Sequence, residues 1–190
     1  MTQWDAVLRA VAPRADAGFV RAFDAIADRL FSVYGVTSAS AQAIIIGECA
    51  HETQGFTHFE EGLAYTAKRL TQVWPTRFPS LEAAKPFERN PRALANRVYN
   101  GRMGNRVGSD DGWNYRGSGA MQHTGRSEFE RVGRRTGQPV VDIPGMLRDP
   151  AHAEAMIAGA ITSDPSSNRQ STQAKTMRPP TSCTTARQGL

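Results

Sequence analysis

The 190-residue sequence contains no run of about 18 apolar residues, so no segment is expected to cross a membrane as a helix. Cysteine is scarce. Cys49 and Cys183 are the only two and lie far apart, which excludes the disulfide framework of a small secreted domain and leaves free thiols as the expectation. The opening MTQWDAVLRAVAPRADAG carries Asp5 early and lacks the apolar core of a secretory signal, so Sec export is not expected. Strand-like alternation is missing, and no internal repeat is visible. Excess charge is also slight. Of the formal +5, residues 162–190 hold +3 (four Lys/Arg, one Asp), leaving +2 from 19 basic and 17 acidic residues elsewhere. So weak a basic character gives nucleic acid little purchase, and no such partner is expected.

What is present describes one globular, mainly α domain. Hydrophobic residues make up 39% and charged residues 22% of a chain long enough to bury a core. Residues 16–34 place Phe19, Phe23, Ile26, Leu30 and Tyr34 at helical spacing before Gly35. Thr37 and Ser38 are capping candidates for a second helix, SASAQAIIIGECAHE, whose Ile44–Ile46 run predicts deep burial and which Gly55 ends. Shorter helices are predicted over 65–73, broken by Trp74-Pro75, over 80–85, and over 91–99 with Pro91 in the first turn. Residues 100–125 then hold seven glycines with little periodicity, but Trp113, Tyr115 and Met121 argue for an ordered, functional loop. Helical texture returns at 125–135 and 149–161. The remaining residues, 162–190, are rich in Ser and Thr and poor in apolar side chains, so a disordered tail after a domain spanning 1–161 is expected.

The chemistry concentrates in CAHETQGFTHFEEGLAY, residues 49–65, which gathers His51, Glu52, His58, Glu60 and Glu61 where the apolar helix ends. Zinc of the H-E-x-x-H type is not expected, because Gly55 stands three residues after Glu52 and His58 comes too late. Cys49 lies on an apolar helical stretch, where a buried structural thiol is a better reading than a nucleophile. RGSGAMQ lacks the lysine and preceding strand of a phosphate-binding loop. Paired carboxylates remain. Glycoside hydrolysis needs one carboxylic acid to protonate the leaving oxygen and a second carboxylate to activate water or attack the sugar. Glu52, at the end of a buried helix, is expected to have its neutral form favoured by desolvation, whereas loop carboxylates stay solvated. The alternative is that all three glutamates are surface charges, and spacing does not decide.

Four motifs in order, AHETQGF, FEEGLAY, NRVYNGRMGN and DGWNYRGSGAMQHTGR, resemble the catalytic domain of family 19 glycoside hydrolases, in particular the chitinase-like endolysins of phages and prophages. The likeness covers about residues 15–136. It implies a mainly α, lysozyme-like two-lobed fold, with the long ordered Gly-rich loop lining the cleft. It also implies inverting hydrolysis of β-1,4 links between N-acetylated amino sugars in peptidoglycan or chitin, without metal or other cofactor. By position, Glu52 matches the general acid and Glu61, rather than Glu60, the general base. Gln122 and Thr124 match a sugar-contacting glutamine and a hydroxyl that helps hold the catalytic water. His51 matches a cleft-lining residue, and Tyr115 and Arg116 match the Y-R that opens the loop. Trp113 is a candidate for stacking on a sugar, or a core tryptophan. An endolysin of this kind would be a monomer. It would stay in the cytoplasm until a holin-like partner let it reach the wall.

The match also breaks at particular positions. Ser118 replaces an arginine, His123 a leucine, and Glu128-Phe129 an Asn-Tyr pair, so that Glu128 would add a third negative charge near the cleft. After AHAEAMIAGAI the family's closing C-terminal segment is not recognisable. The rival reading is therefore an inactive wall-binding remnant. A lytic transglycosylase, with one essential glutamate, is a third.

Overall fold

The computed structural model describes residues 2–163. Residues 164–190 lie outside it, and with them nearly all of the tail expected to be disordered. Helices α1 (Gln3–Val11), α2 (Ala17–Asp24), α3 (Ala27–Val33) and α4 (Ala39–Glu52) pack around one core with α10 (Ala153–Ser163). Helices α5 (Ala67–Val73), α6 (Leu81–Ala84) and α7 (Pro91–Tyr99) enclose a second, and α8 (Asp111–Asn114) lies against α7. A third, smaller cluster forms around α9 (Arg126–Thr136) and its contact with α10. Single 3-10 turns at Lys85–Phe87, Pro144–Leu147 and Pro150–His152 connect these parts. The fold is thus mainly α, as the periodicity predicts, with no extended strand among the described residues.

Local chemistry sets the boundaries. Ser38 accepts a hydrogen bond from Ala41 N (3.2 Å), Thr66 from Arg69 N (3.2 Å), and Asn90 from Ala93 N (3.2 Å) ahead of Pro91. Each satisfies a donor that a helix N-terminus leaves without an internal partner. Gly35 and Gly55 turn the chain at φ +69° and +77°, where a side chain would be strained. At the end of α4, Gly55 N reaches back to Ala50 O (2.6 Å).

Several expectations need correction. The helix predicted over 16–34 is two helices, because the chain breaks at Ile26 and Ile26 N bonds to Phe23 O (3.0 Å). The break lets Phe23 and Phe31 both meet Trp4, at ring separations of 5.7 and 5.2 Å. Trp4 belongs to α1, a helix not anticipated from the sequence. Ile44 is 57% exposed although Ile45 and Ile46 are buried; three consecutive residues span about 200° of a helix and cannot share one face. Helix α10 also runs two residues past 161, with Thr162 Oγ1 donating to Ala158 O (2.9 Å). Its Ala155–Ala158 stretch is buried throughout, which makes it the central helix of the larger core.

Candidate active site

Helix α4 stops at Glu52 because Thr53, fully buried, captures the chain. Its hydroxyl donates to Cys49 O (2.6 Å) and accepts from Phe56 N (2.8 Å), while its carbonyl takes Thr57 N (3.1 Å) and His58 N (3.0 Å). Phe56 and Phe59 anchor this turn in the larger core, 4.7 and 5.2 Å from Phe19. The turn therefore fixes where helix α4 releases the chain and where the next segment begins. Residues 59–61 then run antiparallel to 117–119, with Gly119 N donating to Phe59 O (2.8 Å) and Glu61 N to Gly117 O (3.0 Å). Ser118 also bridges to His123.

On this strip Glu61 is held at both oxygens. Gly117 N donates to Oε1 (2.7 Å) and Tyr99 Oη to Oε2 (2.7 Å). Burial, together with the hydrogen bond to Glu61, pushes the Tyr99 phenol up, so it remains a donor at any working pH. An ionised carboxylate offers about four lone-pair positions, so two donors leave capacity for a water. The space is tight. A Cβ on Gly117 would stand 3.3 Å from Glu61 Cβ and Cδ and 3.0 Å from Gln122 Oε1. Gln122 is thereby beside Glu61, on a backbone held at φ +50°, and its carbonyl accepts from Thr124 Oγ1 (3.0 Å).

Glu52 and His51 sit at the other end of the Thr53–His58 turn. Both are exposed and make no side-chain hydrogen bond among the described residues. The desolvation expected for Glu52 is therefore not provided by the protein alone. The helix stops with its last residue turned to solvent, whereas burial passes to Thr53. Tyr115 is not on the open face either. It is 5% exposed and packs edge-on against Phe129 (5.1 Å); its hydroxyl donates to Val141 O (3.1 Å) and accepts from Arg126 (3.2 Å). It braces the fold beneath residues 115–125. Arg116 lies over Trp113, 3.6 Å from the ring centre, and covers one of the faces on which a sugar would stack.

The departures from the family pattern turn out to be paired. His123 and Glu128 face each other, Nδ1 to Oε1 at 2.9 Å, and Arg131 donates to the same carboxylate, Nε to Oε2 at 2.8 Å. The His123 hydrogen bond, then Arg131, hold the Glu128 carboxyl down at about 2, so its charge is neutralised locally rather than left free near the site. An ionised carboxylate only accepts, so Nδ1 is the donor. Nε2 is buried without a hydrogen-bond partner, and a Cβ on Gly159 would come within 3.0 Å of it. At Ser118, the absent arginine has a substitute from elsewhere in the chain: Arg148 Nη1 donates to Ser118 Oγ (2.8 Å) and Asn114 O (3.1 Å). Glu60 is half-exposed but not merely solvated, since Arg116 Nε and Nη2 both donate to its Oε2.

Other chemistries find less support. Burial pushes the Cys49 thiol up to about 12, far from a neutral-pH nucleophile. Among the described residues no three His, Cys, Asp or Glu side chains assemble as a ligand set, and no helix is long and apolar enough to cross a membrane.

The described residues thus form a mainly α fold in which the Glu61 carboxylate, oriented by two donors, stands beside the Gln122 amide. No protein-family model matches the chain. It is similar to a glycosyl hydrolase family 19 domain-containing protein of Haemophilus influenzae, 37% identical over 116 residues, covering 60% of this chain and 58% of that protein. The chain thus spans less than two thirds of that relative's length.

Sequence reasoning missed Tyr99, Gly117 and Arg148 as parts of this site. Tyr99 lies inside NRVYNGRMGN and Gly117 inside YRGSGAMQ, so the motifs point at them without saying what each does. No local signal singles out Arg148.

Proposed function

We propose that the protein is a family 19-type glycoside hydrolase that cleaves β-1,4 links between N-acetylated amino sugars, with Glu52 as general acid and Glu61 as general base. The observation that carries the reading is the double anchoring of Glu61 by Tyr99 and Gly117. A base that abstracts a proton from water must hold its lone pairs in a fixed direction, and two donors from separate elements do that. The similarity to the family 19 domain-containing protein supports the reaction class. Exposure of Glu52 fits an acid that meets its leaving-group oxygen only when a glycan covers it, with substrate supplying the desolvation. Gln122 would contact the sugar, Thr124 would help hold the water, and His51 would line the approach beside Glu52. In an inverting reaction the water sits between the two carboxyl groups, about 6.5–9.5 Å apart, and attacks the face opposite the leaving group.

The physiological substrate under this reading is peptidoglycan or a chitin-like glycan. The role is that of an endolysin released to the wall by a holin-like partner. The test is proton NMR of the first product formed from chitin oligosaccharides and from purified peptidoglycan. An inverting hydrolase yields the α-anomer first and a free reducing end. A β-anomer would show retention and refute direct attack by a water that Glu61 activates, and an anhydro product would identify a transglycosylase.

A further inference from the structure

Glu60 and Glu61 are neighbours in extended backbone, so their side chains leave the strip on opposite faces. Glu61 turns to Tyr99 and Gly117; Glu60 turns to Arg116 and Arg148. On the Glu60 side lies an open pocket of about 510 Å³, lined by both arginines together with Thr57, His58 and Asp149. The two guanidinium groups share one carboxylate, and they share it unequally. Arg116 spends Nε and Nη2 on Glu60 and Nη1 on Trp113 O (2.8 Å). Arg148 reaches Glu60 only at 3.8 Å, and among the described residues its Nη2 donates to nothing.

We propose that this pocket binds a carboxylate carried on a peptide branch of the glycan, with Arg148 as the principal donor. Arg148 is suited to the task because its side chain is 14% exposed and its backbone-facing nitrogen is already fixed by Asn114 O and Ser118 Oγ. A pre-oriented guanidinium loses little freedom on meeting an anion, and its planar donors match a carboxylate. Burial, and then the neighbouring Arg116 charge, depress Arg148 to about 10, with Glu60 only partly opposing them. Asp149 also lines the pocket but forms no ion pair with either arginine among the described residues. Its carboxylate accepts from Ala151 N (2.9 Å) and faces His152 Nδ1 (3.2 Å). Chitin is uncharged, whereas the peptide branches of peptidoglycan end in carboxylates. The pocket therefore favours peptidoglycan over chitin, an assignment of substrate that rests on the glycosidase reading above. The anion site itself does not rest on it.

The probes are N-acetyl-D-alanyl-D-alanine and its C-terminal amide, which differ in the terminal charge alone, titrated calorimetrically into the full chain at low and high salt. The acid should bind at least about ten-fold more tightly than the amide, and salt should weaken it. Arg148→Gln should abolish the preference. Glu60→Gln should strengthen binding of the acid, because it removes the internal carboxylate with which the probe competes. General damage to the fold would weaken binding in both variants, so the opposite sign at Glu60 separates recognition from structure. Equal binding of acid and amide, no binding of either, or weaker binding in Glu60→Gln would overturn the proposal. None of these readouts involves turnover. A protein that cleaves glycan but ignores the acid probe would refute the pocket and spare the hydrolase, and the converse result would do the reverse.

Discussion

Gly117→Ala isolates the positioning of Glu61 without touching a charged group. Gly117 has no positive φ, so alanine can adopt its backbone, and the only obstacle is space. The added Cβ would meet Glu61 Cβ and Cδ at 3.3 Å and Gln122 Oε1 at 3.0 Å. Ordinary contact begins near 3.4–4 Å, so the strip or the carboxylate must give by a few tenths of an ångström. Misplacing a catalytic group by about 1 Å costs on the order of 100-fold, so a shift of roughly 0.3–0.5 Å corresponds to about 4- to 10-fold in kcat. Overpacking one methyl costs about 1–3 kcal/mol, which for a chain of this size lowers Tm by roughly 2–12 °C. The assay is kcat on chitin oligosaccharides well below Tm, with Gly47→Ala as a control, since a Cβ at Gly47 meets nothing within 4 Å. Undiminished kcat in Gly117→Ala would refute the claim that Glu61 works from a sterically fixed position.

Tyr99→Phe keeps the ring in the second core and deletes only the donor to Glu61 Oε2. Losing one hydrogen bond to a charged group is worth about 1.5–3 kcal/mol, discounted here because Gly117 N still holds Oε1, so kcat should fall roughly ten-fold with KM little changed. A fall as deep as that of a base deletion would make Tyr99 a reacting group rather than a positioning residue. Gly47→Ala, in an exposed turn of α4, should raise stability by about 0.5–1 kcal/mol, read as a higher Tm. The Glu128 carboxyl titrates at about 2 when folded and near 4.5 when unfolded, so its stabilisation is complete above about pH 4.5. That contribution is lost as pH falls from there towards 2. Melting curves between pH 6 and 2.5 should therefore drop less steeply for Glu128→Gln than for wild type, and parallel curves would show that His123 and Arg131 do not hold the charge.

Legibility in the sequence followed the range of the interactions. The helices that start at Ser38 and Pro91 were readable because first-turn signals lie within three residues of the boundary. The α2–α3 break was not, because the packing it permits, Phe23 and Phe31 on Trp4, joins residues some twenty positions apart. At the site, the motifs pointed to Glu52, Glu61, Gln122 and Thr124. The surroundings that govern their chemistry are long-range. Tyr99 reaches Glu61 across 38 positions, and Arg148 reaches Ser118 across 30. Ser118, His123 and Glu128 read as losses one at a time; only the folded chain shows Arg148 answering the first and the other two answering each other.

The most direct test of the account is the turnover number of Glu61→Gln on a defined amino-sugar oligomer, measured beside wild type on protein of matched Tm. Removing the general base should reduce turnover by about 100- to 10,000-fold, since glutamine keeps the side chain's shape and one accepting oxygen but cannot take a proton. Turnover within a factor of about two of wild type would contradict the assignment and leave Glu52 as the one essential carboxylate, the pattern of a transglycosylase rather than of an inverting hydrolase.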